Sequence, residues 1–123
     1  MRIYISGPMT GYKNLNRKAF MDVGEELKKK GHFVINPHVF TLIFGDEDEI
    51  ANSFKAYYEG AAQTHPNGSY RLAQSVMDAE LAALRSCDAI YMLRGWENSR
   101  GARKELAEAI AHGLSIISEG AAA

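Results

Sequence analysis

Short apolar runs alternate along the chain with longer segments in which apolar residues recur every three or four positions. The short runs are rich in β-branched and aromatic residues and predict buried strands. These strands are expected over residues 2–6, 32–36, 88–93 and 114–117. The longer segments have the spacing of amphipathic helices. These helices are expected over about 16–30, 47–60, 70–85 and 100–112.

This alternation of strands and helices predicts an α/β fold. We expect a doubly wound, Rossmann-like or flavodoxin-like parallel sheet of about four strands in the order 2-1-3-4, with helices on both faces. Asn14 or Asn16 is expected to cap the first helix, Asp46 and Glu49 to form a capping box for the second, and Ser99 to cap the last. The stretch 60–69 is expected to be a flexible loop because it is rich in turn residues.

Composition indicates one globular domain, which we place at residues 1–118, followed by a disordered tail at 119–123. The chain has 123 residues, of which 46% are hydrophobic and 24% charged, with a net charge of −1. Because no strong field would attract polyanions, we expect no nucleic-acid partner. No apolar run approaches the length of a membrane span, so we also expect no membrane and a cytoplasmic location. The single cysteine, Cys87, and scattered histidines give no metal site, and no cofactor is expected.

The predicted strand order places a ligand crevice between strands 1 and 3. In that order the winding reverses between these two strands, and open α/β sheets bind ligands beyond the carboxyl ends of the strands at such a point. The loops there are residues 6–11 and 94–101. Both loops are unusual in composition, so architecture and sequence select the same place.

The first loop offers glycines, hydroxyls and backbone N–H groups directly after a strand. Glycine allows close approach to an anion, and clustered N–H groups bind phosphate or ribose oxygens. The loop is neither a dinucleotide fingerprint nor a P-loop, and a plain turn is the alternative. The candidate binding residues are Ser6, Gly7, Pro8, Met9, Thr10 and Gly11.

The second loop leads into a helix whose start suits a phosphate. Ser99, the N–H groups after it and Arg103 lie at the helix N-terminus, where an anion is stabilised by the dipole and by hydrogen bonds. Glu105 lies further along, on the apolar side of that helix. A carboxylate there needs a partner or a chemical role, and a salt bridge is the alternative. Further binding candidates are Trp96, Asn98 and Gly101.

Two other acidic residues are candidates for the same chemistry. Asp78 interrupts the third predicted helix and Asp88 opens the third strand; either can also be an ordinary surface or cap residue. Trp96 could stack on a base, although core packing is the commoner role of an aromatic side chain.

Three segments together resemble the nucleoside 2-deoxyribosyltransferase superfamily, in particular its short phage- and prophage-associated members of unassigned function. The segments are residues 3–11, residues 78–88 and residues 99–106; residues 38–69 are not covered. The resemblance implies that Glu105 attacks the anomeric carbon of a nucleoside or nucleotide and that Tyr4 positions it. It further implies that Asp78 or Asp88 protonates the base or holds the sugar hydroxyls.

One difference within the resemblance concerns the phosphate. Transferases of the superfamily commonly have an aspartate where this chain has Ser99, and the hydrolases of nucleoside 5′-monophosphates are more similar here. Arg103 and Lys104 are bulkier and more basic than the usual neighbours of the nucleophile, which favours phosphate binding.

The expected function is therefore cleavage of the N-glycosidic bond of a nucleoside 5′-monophosphate, by a hydrolase or a transferase. The alternatives are a non-catalytic nucleotide-binding protein that uses the same crevice, and a structural module that keeps only the fold. A small-molecule nucleotide is the expected partner. A homo-oligomer, most simply a dimer, is also expected, because aromatic residues are numerous outside the sheet: Phe54, Tyr57, Tyr58 and Tyr70.

Overall fold

The computed structural model describes residues 1–45, 47–58 and 71–120. The strands are β1 (Arg2–Ser6), β2 (Phe33–Ile35), β3 (Ala89–Met92) and β4 (Ser115–Ser118). The helices are α1 (Arg17–Lys29), α2 (Val39–Phe44), α3 (Glu47–Tyr58), α4 (Arg71–Arg85) and α5 (Arg100–Ala111). Short 3₁₀ turns at Lys13–Asn16 and Trp96–Asn98 precede α1 and α5.

The strands form one parallel sheet in the order β2-β1-β3-β4, which confirms the predicted topology. Ile3 of β1 lies opposite Val34 on one side and Ala89 on the other. β1 is apolar at consecutive positions because helices cover both faces of a parallel sheet. The expected doubly wound α/β fold is therefore correct.

Alternation along β1 separates a structural face from a functional one. Ile3 and Ile5 pack against Phe20 and its neighbours on α1. The intervening Tyr4 points to the opposite face, where α4 and α5 pack. Successive strand residues face opposite sides of a sheet, so Ser6 shares the face of Tyr4. Both side chains are completely buried there.

The connection from β1 to α1 differs from the prediction. Asn14, Leu15 and Asn16 all adopt left-handed backbone conformations, with φ between 51° and 60°. Asn16 occupies the position before α1, but its side chain does not cap the helix. Its amide instead donates a hydrogen bond to the Pro8 carbonyl at 3.0 Å. The predicted capping by Asn16 was wrong because its side chain instead hydrogen-bonds the loop after β1.

Three further expectations lie wholly or partly outside the described residues. The predicted capping box includes Asp46, which is outside the described residues. The predicted loop at 60–69 is also outside the described residues. Of the expected tail, Glu119 still belongs to the sheet edge, since its N–H donates to the Met92 carbonyl and its carboxylate accepts from the Arg94 N–H. Backbone pairing thus continues one residue past β4; residues 121–123 lie outside the described residues, and the disordered tail stays a prediction.

Helix α2 was not predicted. Its sequence, Val-Phe-Thr-Leu-Ile-Phe, has no polar positions with helical spacing, so periodicity alone cannot identify it. The aromatic residues that suggested an oligomer are half-buried in the single chain, where the Tyr58 ring packs against Phe54 and Tyr57. Tyr70 lies outside the described residues, and the homo-oligomer stays a prediction. No helix within the described ranges is long and apolar enough to cross a membrane.

Two glycines offer a matched test of packing near the site. A Cβ on buried Gly7 would lie 2.7 Å from the Leu93 Cβ, whereas a Cβ on Gly24, within α1, would meet ordinary contacts from 3.4 Å outward. Gly7→Ala should therefore lower the free energy of unfolding by about 1–3 kcal/mol. Gly24→Ala should leave it unchanged or raise it by up to about 1 kcal/mol, because alanine favours a helix. Urea unfolding of both variants checks this, and equal effects would contradict the predicted clash.

Candidate functional site

A cavity of about 430 Å³ lies beyond the carboxyl ends of β1 and β3. Its volume falls within the range of roughly 300–1,000 Å³ typical of small-molecule sites. The loop after β1 and the start of α5 form one side, and α2, α3 and α4 form the other. The lining residues are Gly7, Pro8, Met9, Thr10, Tyr12, Leu15, Pro37, Phe40, Ile50, Phe54, Lys55, Tyr58, Val76, Glu80, Asn98, Ser99, Arg100, Gly101, Ala102 and Glu105.

Glu105 is fixed on the wall of this cavity by two hydroxyl donors from β1. The Tyr4 hydroxyl donates a hydrogen bond to Glu105 Oε2, and Ser6 Oγ donates to Oε1 at 2.7 Å. The residue is only 8% exposed. The alternative was a salt bridge, but no cation among the described residues forms one with Glu105. Each carboxylate oxygen instead accepts a hydrogen bond from a buried hydroxyl, which fixes the rotamer and the direction of both oxygens.

A second carboxyl group, Glu80 of α4, forms a pair with Glu105. The two side chains share a hydrogen bond, and Glu80 lines the same cavity. Burial, followed by the adjacent charge of Glu105, raises the pKa of Glu80 well above its ordinary value. Two carboxyl groups in contact cannot both be ionised cheaply, so one retains a proton.

The proton of the pair belongs on Glu80. Burial also raises the pKa of Glu105, but the hydrogen bonds from Tyr4, Ser6 and Glu80 oppose that shift. Donors directed at a carboxylate favour its charged form. Burial and the Glu105 charge raise the pKa of Tyr4 well above its usual value, so Tyr4 remains a protonated donor. Of the two carboxyl groups, Glu105 therefore ionises first, and Glu80 retains its proton to higher pH.

This assignment predicts how stability depends on pH. Because its pKa is raised in the folded state, Glu80 binds more protons in the folded protein than in the unfolded chain. Its contribution to the free energy of unfolding is therefore lost as the pH rises from about 4.5 through the raised pKa. Glu80→Gln cannot titrate. The unfolding free energy of the wild type relative to Glu80→Gln should thus fall by up to about 1.4 kcal/mol per pH unit in that window. Urea titrations between pH 4 and 9 check this, and parallel curves would place the proton elsewhere.

Sequence reasoning missed Glu80, although a signal exists. The buried residues of α4 include Ala73, Met77 and Leu84. Glu80 follows Met77 by three positions and precedes Leu84 by four, so it occupies the apolar face of the helix. A carboxyl group on that face was the same kind of signal that singled out Glu105.

The two aspartates proposed from sequence are not in the cavity. Asp78 is exposed and accepts a hydrogen bond from Gln74 Nε2 at 3.0 Å. Asp88 is exposed and accepts from the Arg2 N–H at 2.8 Å, at the amino end of the sheet. The cavity is at the opposite, carboxyl end. Placing either aspartate in the site is therefore corrected: Asp78 projects from a different side of α4 than Glu80, and Asp88 precedes its strand.

The structure brings most of the other predicted binding residues together. Seven of them line the cavity: Gly7, Pro8, Met9, Thr10, Asn98, Ser99 and Gly101. Four do not. Ser6 is buried and donates to Glu105, and Gly11 provides a turn with φ of 87°. Trp96 packs against the core beneath α5, and Arg103 is exposed. Arg100, which the sequence interpretation did not select, lines the cavity in place of Arg103.

The start of α5 has the geometry of an anion site. Ser99 caps the helix, with its Oγ accepting from the Ala102 N–H at 3.2 Å. The cap confirms the predicted helix start. Arg100 and Lys55 add two cationic side chains to the same cavity. Anions are stabilised at such a terminus by N–H groups and by the helix dipole. Among the described residues, no cluster of three or more His, Cys, Asp or Glu could hold a metal ion.

Comparison with protein families assigns the chain. Residues 1–118 match the family described as domain of unknown function DUF4406. The chain belongs to the DUF4406 family. A search of curated proteins gave no match. This DUF4406 domain thus contains the whole cavity, including both members of the carboxyl pair.

Proposed function

We propose that this DUF4406 protein cleaves the N-glycosidic bond of a nucleoside 5′-monophosphate, in the manner of the nucleoside 2-deoxyribosyltransferase superfamily that its motifs resemble. The observation that carries the proposal is the Glu80–Glu105 pair. One carboxyl group is held by Tyr4 and Ser6 as an oriented anion, and the other retains a proton, on the wall of one cavity. Bonds between sugar and base are broken by this combination of a nucleophile and an acid.

In the proposed reaction, Glu105 attacks the anomeric carbon of the sugar. A carbon–oxygen bond forms between the carboxylate and that carbon while the carbon–nitrogen bond to the base breaks. Glu80 gives its proton to the departing base nitrogen. Water, or a second base, then displaces Glu105, and Glu80 recovers a proton from the attacking group. Water yields a free sugar phosphate, and a second base yields a new nucleotide.

The start of α5 is the proposed phosphate site. The first residues of this helix and its cap line the cavity: Ser99, Arg100, Gly101 and Ala102. Glu105 lies on the same helix, between one and two turns further along. A phosphate at the helix start would therefore leave the sugar close to the carboxyl pair. Aromatic and aliphatic residues of α2 and α3, such as Phe40 and Phe54, would enclose the base.

The remaining parts of the proposal concern the cell. A free nucleotide substrate favours a cytoplasmic location and does not require nucleic acid as a partner. A homo-oligomer remains part of the proposal.

The test is release of free base from defined nucleotides. The protein is mixed with each common ribo- and deoxyribonucleoside 5′-monophosphate, and with the matching nucleosides, and free base is followed by chromatography. Base release from monophosphates in preference to nucleosides is expected. Adding a second free base separates a transferase, which forms a new nucleotide, from a hydrolase. Binding without release would instead establish the non-catalytic nucleotide-binding protein, and neither binding nor release would leave only a structural module.

A further inference from the structure

The hydroxyl group of Tyr58 has no hydrogen-bond partner although it is buried. The Oη atom is inaccessible to solvent, and no partner for it exists among the residues that the structure describes. An unpaired buried hydroxyl destabilises a protein by about 1–3 kcal/mol. Tyr58 also lines the cavity that contains Glu80 and Glu105. A buried, unpaired polar group on a residue that lines a cavity points to a ligand contact.

The Tyr58 ring is fixed by its surroundings, so the hydroxyl cannot turn easily towards solvent. The ring stacks on Phe54 with centroids 6.1 Å apart and meets Tyr57 edge-on at 5.3 Å. The Arg100 guanidinium lies 5.6 Å from the ring centroid and donates a hydrogen bond to the Tyr58 carbonyl at 3.1 Å. The position of the hydroxyl is thus set before any ligand binds.

That position lies between the two parts of the proposed site. A Cβ at Gly101 would lie 3.2 Å from Tyr58 Oη. Gly101 precedes Glu105 by four residues, one helical turn, and follows the Ser99 cap by two. The hydroxyl therefore lies against Gly101, between the Ser99 cap and Glu105 along α5, and these three residues line the cavity. Between a 5′-phosphate and an anomeric carbon, a nucleotide presents its sugar.

We infer that Tyr58 is a specificity-determining residue whose hydroxyl hydrogen-bonds a sugar hydroxyl of the bound nucleotide. The inference rests on the proposed function, because it uses the sugar orientation set by Glu105 and the phosphate site. Burial raises the pKa of Tyr58 to about 12, so the phenol is a neutral donor across the physiological range. A site with a buried polar group discriminates strongly against ligands that leave this group unpaired.

The test compares Tyr58→Phe with the wild type in two measurements. The first is thermal unfolding without ligand. Because the hydroxyl has no partner among the described residues, its removal should not lower the melting temperature. A clear loss of stability would reveal a protein partner and overturn the inference, whatever the protein binds.

The second measurement is calorimetric binding of a ribonucleoside 5′-monophosphate and of its 2′-deoxy and 3′-deoxy analogues. Tyr58→Phe should weaken binding about three- to tenfold for ligands that carry the contacted hydroxyl and leave binding unchanged for the analogue that lacks it. Tyr57→Phe is the matched control, since Tyr57 is outside the cavity lining, and should change nothing. Equal effects on all three ligands, or no effect on any, would overturn the inference alone. A wild-type protein that binds none of the nucleotides would overturn the proposed function as well.

Discussion

Replacement of Glu105 by glutamine is expected to abolish base release while nucleotide binding is preserved. The amide has the shape of the carboxylate and its oxygen can still accept a hydrogen bond, but it is not a nucleophile. The loss in turnover should be at least about 10²-fold, at about 1.4 kcal/mol of activation free energy per factor of ten. Base release is measured by chromatography and binding by calorimetry on the same preparation.

Glu108→Gln provides the matched control for this variant. Glu108 follows Glu105 by about one turn of α5 and does not line the cavity. Its carboxylate contacts Arg85 and His112 at 3.3 Å. Loss of such an exposed pair costs little stability. Turnover should therefore remain near the wild-type value. If Glu105→Gln retained full turnover, the covalent mechanism would be excluded.

Replacement of Glu80 by glutamine is expected to slow base release by about 10²- to 10⁴-fold, the usual contribution of a positioned general acid. Glutamine can still donate a hydrogen bond to Glu105, but it cannot give up a proton to the base. The pH dependence of turnover provides a second measurement. Wild-type activity should fall at alkaline pH as Glu80 loses its proton, and the residual activity of Glu80→Gln should lack that decline.

Asp78→Asn is the control that separates the structural assignment from the sequence-based one. Asp78 and Glu80 are two residues apart on α4, but Asp78 is exposed and hydrogen-bonded to Gln74. Asp78→Asn should leave turnover unchanged. A large effect of Asp78→Asn together with a negligible effect of Glu80→Gln would reverse the assignment of the acid.

The topology could be predicted because each strand is a short apolar run with a clear boundary. β1 ends at Ser6, before Gly7 and Pro8, and the apolar run of β3 is followed by Arg94 and Gly95. Parallel sheets buried on both faces require such apolar runs. Glu105 could be predicted for a related reason. Ala102 and Ala109, at helical spacing on either side of it, identified the buried face of α5.

The sequence interpretation selected Asp78 of α4 and passed over Glu80 because it considered residue type and not the angle around the helix. Successive helix residues turn by about 100°, so Asp78 and Glu80 differ by about 200° and cannot both face one cavity. Asp88 was misassigned for a different reason. It precedes β3, and the amino end of a parallel strand lies opposite the edge at which ligands bind.

Other parts of the site depend on contacts that local sequence patterns do not encode. Phe40 of α2 and Phe54 of α3 reach the cavity only through packing between distant segments. The choice of Arg100 over Arg103 as the cavity cation depends on where α3 lies, since the Arg100 guanidinium is held by the Tyr58 carbonyl. The positions of Arg100 and Arg103 along α5 do not by themselves show which of the two lines the cavity.

Detection of a covalent sugar phosphate on Glu105 tests the proposed mechanism most directly. The protein is mixed with the nucleotide that gives most base release, quenched rapidly in acid, and examined by intact mass and by peptide mapping. The expected result is an added mass of one dehydrated sugar phosphate, located on the peptide containing Glu105 and absent from Glu105→Gln. Base release without any adduct at Glu105, or an adduct on a different residue, would contradict the role of this carboxylate as the nucleophile.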